Sequence, residues 1–137
     1  MANDSAPQIK RINPAELGTP PGYSQIVDVR ASRLVFIAGQ TATDRDGNHR
    51  QERFPNAGRA GFRNLATALT AAGCTAASLI KLTVFLRDIN NLAAYRQARD
   101  RFFATVTPAA APAVTLIEVS RLYGADFLIE IEAIAAI

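Results

Sequence analysis

Two carboxylates near the C-terminus are the residues best suited to acid–base chemistry. Glu130 and Glu132 lie two residues apart in segment 127–135, where apolar side chains alternate with the two glutamates. Successive side chains of a strand point to opposite faces, so both carboxylates are predicted on one face of a strand. We expect Glu130 beside apolar Val114 and Leu116, which would raise its pKa and suit it to general acid or base catalysis.

The same carboxylates also have non-catalytic interpretations. Glu130 could instead pair with an arginine across a subunit boundary, which would make it a structural residue. Glu132 is interpreted as a solvated or salt-bridged side chain. The pattern alone does not decide between the two readings of Glu130.

Three residues could hold a small ligand near the carboxylates. Tyr23 could donate its hydroxyl group, and Gly39 and Gln40 could line a cleft with their backbone groups. A glycine at the end of a strand often marks close approach of a backbone or a ligand. The alternative for all three residues is ordinary turn and strand packing.

Two arginines on the second predicted helix could bind an anion. Arg96 and Arg99 are three residues apart, so they share one helical face. Because Asp100 lies four residues after Arg96, a solvated face carrying that ion pair is the alternative.

The cysteine and histidine content limits redox and metal chemistry. With one cysteine and one histidine, the chain can form neither an internal disulfide nor a Cys/His zinc site of its own. Cys74 is interpreted as a small, semi-buried residue, and His49 as a solvated loop residue. We expect no metal and no cofactor.

Size and composition indicate one ordinary globular domain over residues 1–137, with 1–8 as a flexible tail. The chain is 49% hydrophobic and 20% charged, and its net charge is +3. No apolar run approaches the roughly 20 residues that span a bilayer, and the first residues lack a secretory signal. We expect a cytoplasmic protein, no membrane association and no nucleic-acid binding.

The chain predicts an α+β fold with six strands and two helices. Segment 34–39 is apolar and strand-prone, so we place it at the sheet centre, and segment 41–56 reads as a mobile loop or lid. The last two strands read as a hairpin within 113–137. The other predicted strands cover 9–13, 23–29 and 79–87, and the helices cover 57–72 and about 92–104, the latter capped within 88–91.

Two amphipathic helices can cover one face of this mixed sheet, which gives a two-layer architecture. Val114, Leu116, Leu128 and Ile134 are predicted on the opposite face of the C-terminal strands. Because that surface is too apolar to be solvated, we expect an oligomer in which sheets pack together.

Several short stretches occur in an order typical of a known family. They are Gly22-Tyr23-Ser24-Gln25, residues 34–40 (LVFIAGQ), Asn64-Leu65, Ala71-Ala72-Gly73, residues 81–88 (KLTVFLRD), Phe102-Phe103, Pro112-Ala113 and residues 129–135 (IEIEAIA). In this respect the chain resembles the Rid family of reactive intermediate deaminases, also called YjgF. The resemblance implies a chorismate-mutase-like fold, a homotrimer and a ligand cleft between subunits.

The resemblance also assigns roles to positions. In active members an arginine directly after Pro-Ala binds the substrate carboxylate, but Val114 occupies that position here. The glutamate that positions water matches Glu130, and the tyrosine of the early motif matches Tyr23. Arg96 and Arg99 replace the family's helix-two asparagine and tyrosine, and Ala38 replaces a serine.

These matches imply a hydrolase or deaminase acting on a small imine or enamine, with specificity altered by Val114. Standard 2-imino acid deamination is not expected, because valine offers no planar cationic fork to a carboxylate. Two alternatives stay open: a non-catalytic trimer that binds a metabolite or a partner, and an endoribonuclease-type activity.

Overall fold

The computed structural model of the chain describes residues 6–48, 53–54, 56–106 and 110–137. The interpretation of His49 lies outside these residues. Gln8 already pairs with Arg30, so the predicted tail 1–8 extended too far into the first strand.

The described elements follow the predicted order. The strands are β1 (Gln8–Ile12), β2 (Ile26–Arg30), β3 (Leu34–Gln40), β4 (Leu79–Leu86), β5 (Ala113–Glu118) and β6 (Ile129–Ala136), and the helices are α1 (Asn56–Ala71) and α2 (Leu92–Phe103). A short 3₁₀ turn precedes α2, and the Asp88 carboxylate caps it by accepting a 2.9 Å hydrogen bond from the Asn90 backbone N–H. Asn91, which lies in the predicted capping segment, is the N-cap residue of α2, but its side chain makes no capping hydrogen bond.

Four strands form the main sheet in the order β3-β6-β4-β5, and β1 pairs with β2 in a separate antiparallel ribbon. Strand β5 runs parallel to β4, whereas β6 is antiparallel to both of its neighbours. The predicted β5–β6 hairpin is wrong, because β4 lies between the two strands. A parallel pair needs a crossover connection, and α2 supplies it between β4 and β5.

The predicted central position of β3 is also wrong, since it forms an edge of the sheet. Segment 34–39 is apolar because both faces of this edge strand carry apolar side chains. Ile37 is buried against the helices, while Leu34 and Phe36 on alternating positions are 52% and 73% exposed. A strand that is apolar on both faces reads as a central strand until its partners are known.

Both helices cover one face of the sheet, as predicted. From α1, Phe62, Leu65 and Leu69 are buried, and from α2 Tyr95 joins them in one core. The sheet contributes a fixed alternation of buried residues: Leu82, Val84 and Leu86 from β4, and Ile129, Ile131, Ala133 and Ala135 from β6. Each large apolar side chain contributes about 1.5–3 kcal/mol through its burial.

Three of the four residues that were predicted on the open face of the sheet do not lie there. Val114 pairs with Leu82, and Leu116 pairs with Val84, so both face the helices. Leu128 also packs against the core, and of the four predicted residues Ile134 remains on the open face beside its partner Phe36.

The open face stays apolar through other residues. Phe36, Leu34 and Ile117 are all exposed there, with Ile117 at 44%. An oligomer is therefore still expected, with β3 and β5 supplying the exposed apolar surface in place of Val114 and Leu116.

Candidate functional site

Glu130 lies on the open face of the central strand β6, paired with Phe85 of β4. Its carboxylate lies against the backbone of Gly39 on β3. A Cβ atom added to Gly39 would stand 2.7 Å from Cδ of Glu130, well inside van der Waals contact. The β3–β6 register shifts between Ile37 and Gln40, which brings Gly39 to this position. Glycine is thus the residue that lets β3 pass beneath the carboxylate.

The pKa of Glu130 is raised above its ordinary value. Burial is the largest cause, and the negative charge of Glu132 is the second. The predicted cause was wrong, because Val114 and Leu116 face the helices on the other side of the sheet. The predicted direction of the shift nevertheless agrees with the structure.

Glu132 faces an open cavity of about 500 Å³ on the same surface. Its lining includes Phe36, Lys81, Thr83 and Ile134. The side chain of Glu132 is exposed, in keeping with the prediction of a solvated carboxylate. Lys81 directs its ammonium group to the Thr115 hydroxyl oxygen at 2.8 Å.

Val114 does not share a pocket with Glu130 inside one chain. It is half-buried on the outer strand β5 and faces the helices, whereas Glu130 faces the opposite side. Beyond β5, Ser24 forms a single parallel bridge with Ala113 and donates its hydroxyl to the Ala111 carbonyl oxygen at 2.5 Å. If Val114 and Glu130 act in one cleft, they must therefore come from two neighbouring chains.

Arg99 holds the turn that precedes Tyr23. Its guanidinium group is buried beneath Gly22, whose φ of 79° is left-handed, and a Cβ atom there would stand 2.5 Å from Cζ of Arg99. The Nη2 and Nε atoms of Arg99 contact the Asp100 carboxylate at 2.9 and 3.0 Å. The predicted partner of Asp100 was Arg96, which is instead exposed. Arg99 is therefore engaged in local structure, and Tyr23 is half-buried next to the turn.

Below Arg99, the Tyr95 ring lies 6.0 Å from its Cζ atom. The Tyr95 hydroxyl is buried without a hydrogen-bond partner among the described residues. Burial is the largest cause that raises the pKa of Tyr95 to about 12, so it stays neutral.

A polar network fixes the start of the predicted lid. The Asn64 side chain donates to the carbonyl oxygens of Thr41 and Thr43 at 2.7 and 3.0 Å. The hydroxyl groups of Thr41 and Tyr123 are 2.7 Å apart, and Gln40 donates to the Ala38 carbonyl oxygen at 3.0 Å. Gln40 therefore supports the bulge through its side chain. Neither Asn64 nor Tyr123 was assigned a role from the sequence.

Other expectations concern metals, thiols and membranes. Across the described ranges, no group of three or more His, Cys, Asp or Glu side chains could hold a metal ion. Cys74 is 7% exposed and belongs to the core, in agreement with its structural interpretation. Within the same ranges, no helix is long and apolar enough to cross a bilayer.

Comparison with known proteins defines the class. The profile of the family described as "Endoribonuclease L-PSP" matches residues 14–137. A RutC family protein of Pyrococcus horikoshii is 37% identical over 114 residues, which cover 82% of this chain and 85% of that protein. A solved Rid family protein from Yersinia pestis superposes with a TM-score of 0.83 at 29% identity, covering 94% and 98% of the two chains. The chain therefore belongs to the Rid (YjgF) family.

Some relatives carry a name that specifies a reaction. One is a 2-iminobutanoate/2-iminopropanoate deaminase of Salmonella typhimurium, 34% identical over 122 residues, which cover 89% of this chain and 90% of the relative.

Proposed function

We propose that this chain is a Rid-type hydrolase that converts a small imine or enamine to a carbonyl compound and ammonia. The observation that supports it best is the Glu130 carboxyl group, held over Gly39 with a raised pKa on an open apolar face. A raised pKa makes the carboxylate a stronger base, so it accepts a proton from water more readily. The similarity to a named imine deaminase supports the same reaction class.

The proposed chemistry needs one group that moves a proton. The reacting form is the protonated imine, which an enamine reaches by taking a proton from solvent at carbon. The Glu130 carboxylate takes a proton from water as the water oxygen adds to the C=N carbon and the nitrogen becomes a neutral amine. It returns that proton to the nitrogen and then accepts the hydroxyl proton as the C=O bond forms and the C–N bond breaks, and this last proton passes to the departing ammonia. Glu130 ends in its starting state, so no further reactant is required.

The cleft in this proposal lies between chains of a homotrimer. Val114 and Glu130 face opposite sides of one sheet, so a shared cleft takes Val114 from one chain and Glu130 from its neighbour. The exposed apolar residues Leu34, Phe36 and Ile117 supply a surface for such packing. Light scattering measures the assembly, and a monomer at assay concentration would contradict the proposal.

Val114 sets the proposed specificity. A missing charge-assisted contact to a carboxylate is worth roughly 1.5–3 kcal/mol, or about 10- to 150-fold in affinity. The substrate is therefore less acidic, or more apolar at that position, than a 2-imino acid. Tyr23 and the backbone of Gly39 and Gln40 would hold the rest of the ligand, and Arg96 would face it from solvent. The contacts of Arg99 with Asp100 and Gly22 argue against it as the anion anchor.

Replacing Glu130 by glutamine tests the catalytic role, because the amide keeps the shape but cannot accept the proton. Ammonia release is measured with freshly generated 2-aminoacrylate and with imines that lack a carboxylate. We expect E130Q to lose about 100-fold or more in turnover of any confirmed substrate. Glu16→Gln, at an exposed glutamate outside the main sheet, is the matched control and should stay near the wild-type rate. Unchanged turnover by E130Q would remove Glu130 from catalysis.

The second candidate is a trimer that binds a metabolite, or docks on a partner, without turnover, and the loss of the arginine at position 114 favours it. In that case ligands bind the wild type and E130Q alike, and neither releases ammonia. Endoribonuclease activity ranks last, although the family's description carries that word. One histidine in the chain leaves no histidine pair for acid–base cleavage of RNA.

A further inference from the structure

Two arginines surround a second cavity at the loop end of the sheet. Arg87 directly follows β4, and Arg121 lies in the connection between β5 and β6. The cavity has a volume of about 410 Å³, which is within the range of small-molecule sites. Its lining is completed by Leu122, Tyr123, Gly124 and Ala125. Arg87 occurs in the family-like stretch 81–88 without an assigned role, and the proposed hydrolase uses neither arginine.

The described lining of this cavity carries two positive charges and no carboxylate. Among the described residues, the ion pair found is Arg99–Asp100, so neither Arg87 nor Arg121 has a carboxylate in contact. Arg87 uses one N–H group to donate to the Ala125 carbonyl oxygen, and a guanidinium group carries five such donors. Two like charges that line one cavity repel each other, and a bound anion would turn that repulsion into attraction.

The cavity is separate from the Glu130 site. Arg87 lies two residues beyond Phe85, the partner of Glu130, which is roughly 7 Å along the strand. Neither Glu130 nor Gly39 is among the residues that line the cavity.

We propose that Arg87 and Arg121 form a binding site for the oxyanion of a small metabolite, either a carboxylate or a phosphate. Both groups match the planar donor fork of a guanidinium. The Arg87 side chain is held in place by its bond to Ala125, and Arg121 completes the site from the facing loop. The site would recognise an acidic ligand at the end of β4, away from Leu82, which is the register partner of Val114.

The test is an NMR titration of the Nε–Hε signals of the arginines at low ionic strength, where screening is weak. Sodium pyruvate and inorganic phosphate are the two probes, and they separate the two sources of the oxyanion. We expect saturable shifts in the wild type with at least one probe. Binding should weaken about tenfold or more in Arg121→Gln, and less in Arg121→Lys, which keeps the charge but loses the fork.

Arg59→Gln is the matched control, because Arg59 is an exposed arginine of α1 with the same charge. It should bind both probes as the wild type does. Arg87→Gln gives a second measurement. If the loss of its bond to Ala125 unfolds Arg87→Gln, the Arg121→Gln result still decides the test. Saturation by neither probe, or wild-type affinity in Arg121→Gln, would overturn the proposal. The E130Q turnover result is independent of this outcome, so the two proposals can fail separately.

Discussion

Restoring an arginine at position 114 is the most direct test of the proposed specificity. Val114 is half-buried on the outer strand β5, next to Leu82 in the strand register. An arginine there can pass its aliphatic stem over the apolar surface and carry its guanidinium group beyond the edge of the sheet. In the proposed trimer this edge meets the cleft that contains Glu130 of a neighbouring chain.

The expected gain follows from the missing contact. A bidentate, charge-assisted pair with a carboxylate contributes roughly 1.5–3 kcal/mol, so V114R should raise kcat/KM for 2-aminoacrylate by about 10- to 150-fold. The larger side chain should cost about 1–3 kcal/mol in the free energy of unfolding, because it overpacks a half-buried site. A urea unfolding curve measures that cost on the same samples.

Two further variants separate charge from size. V114K supplies a cation without the planar fork and should gain less than V114R, whereas V114L changes only the volume and should gain nothing. A folded V114R trimer that shows no gain would contradict the proposed role of position 114. A wild type that already matches an arginine-bearing relative in the same assay would contradict it as well.

Three other predictions concern Glu130 and the glycines. Gly39→Ala should displace the carboxylate by about 1 Å and reduce turnover up to about 100-fold, whereas Gly61→Ala, whose added Cβ meets an ordinary 3.5 Å contact, should not; ammonia release measures both. Between the ordinary and the raised pKa of Glu130, the folded chain keeps a proton that the unfolded chain has released. Urea unfolding should therefore show stability falling as pH rises through that window in the wild type, and E130Q should lack this loss. Gly22→Ala should destabilise the fold by about 1–3 kcal/mol through the guanidinium beneath it, and by more than Gly18→Ala, which has a similar φ and open space around it. Thermal unfolding that ranks the two glycine variants equally would contradict the last prediction.

The sequence pattern was sufficient to predict the helices and strands, but not which strands pair with each other. The periodic stripes placed both helices and each strand within a few residues, and the two-layer arrangement followed from them. The partners of β5 and β3 could not be read in the same way, because alternation reports which residues share a face and says nothing about the adjacent strand. A hairpin and a crossover both fit the spacing between Glu118 and Ile129.

The candidate site shows the same limit. Glu130 could be selected because a carboxylate in an apolar strand is unusual, and the direction of its pKa shift followed from burial. Its actual neighbour, Gly39, depends on the β3–β6 register, and the pairing of Arg99 with Asp100 depends on a rotamer under the Gly22 turn. Asn64 carried no visible signal, since its two acceptors are backbone oxygens brought close by the fold.

The position of β6 has a consequence for how the chain folds during synthesis. This strand is the last one along the described sequence, yet it lies between β3 and β4. A nascent chain that lacks residues 129–136 can form helices and the β1–β2 ribbon, but β3 and β4 have no strand to join them. At about 5–20 residues per second, translation leaves those apolar strands exposed for seconds before residues 129–136 are synthesised. Completion of the sheet therefore waits for this strand, and a chaperone has its best opportunity to act in that interval.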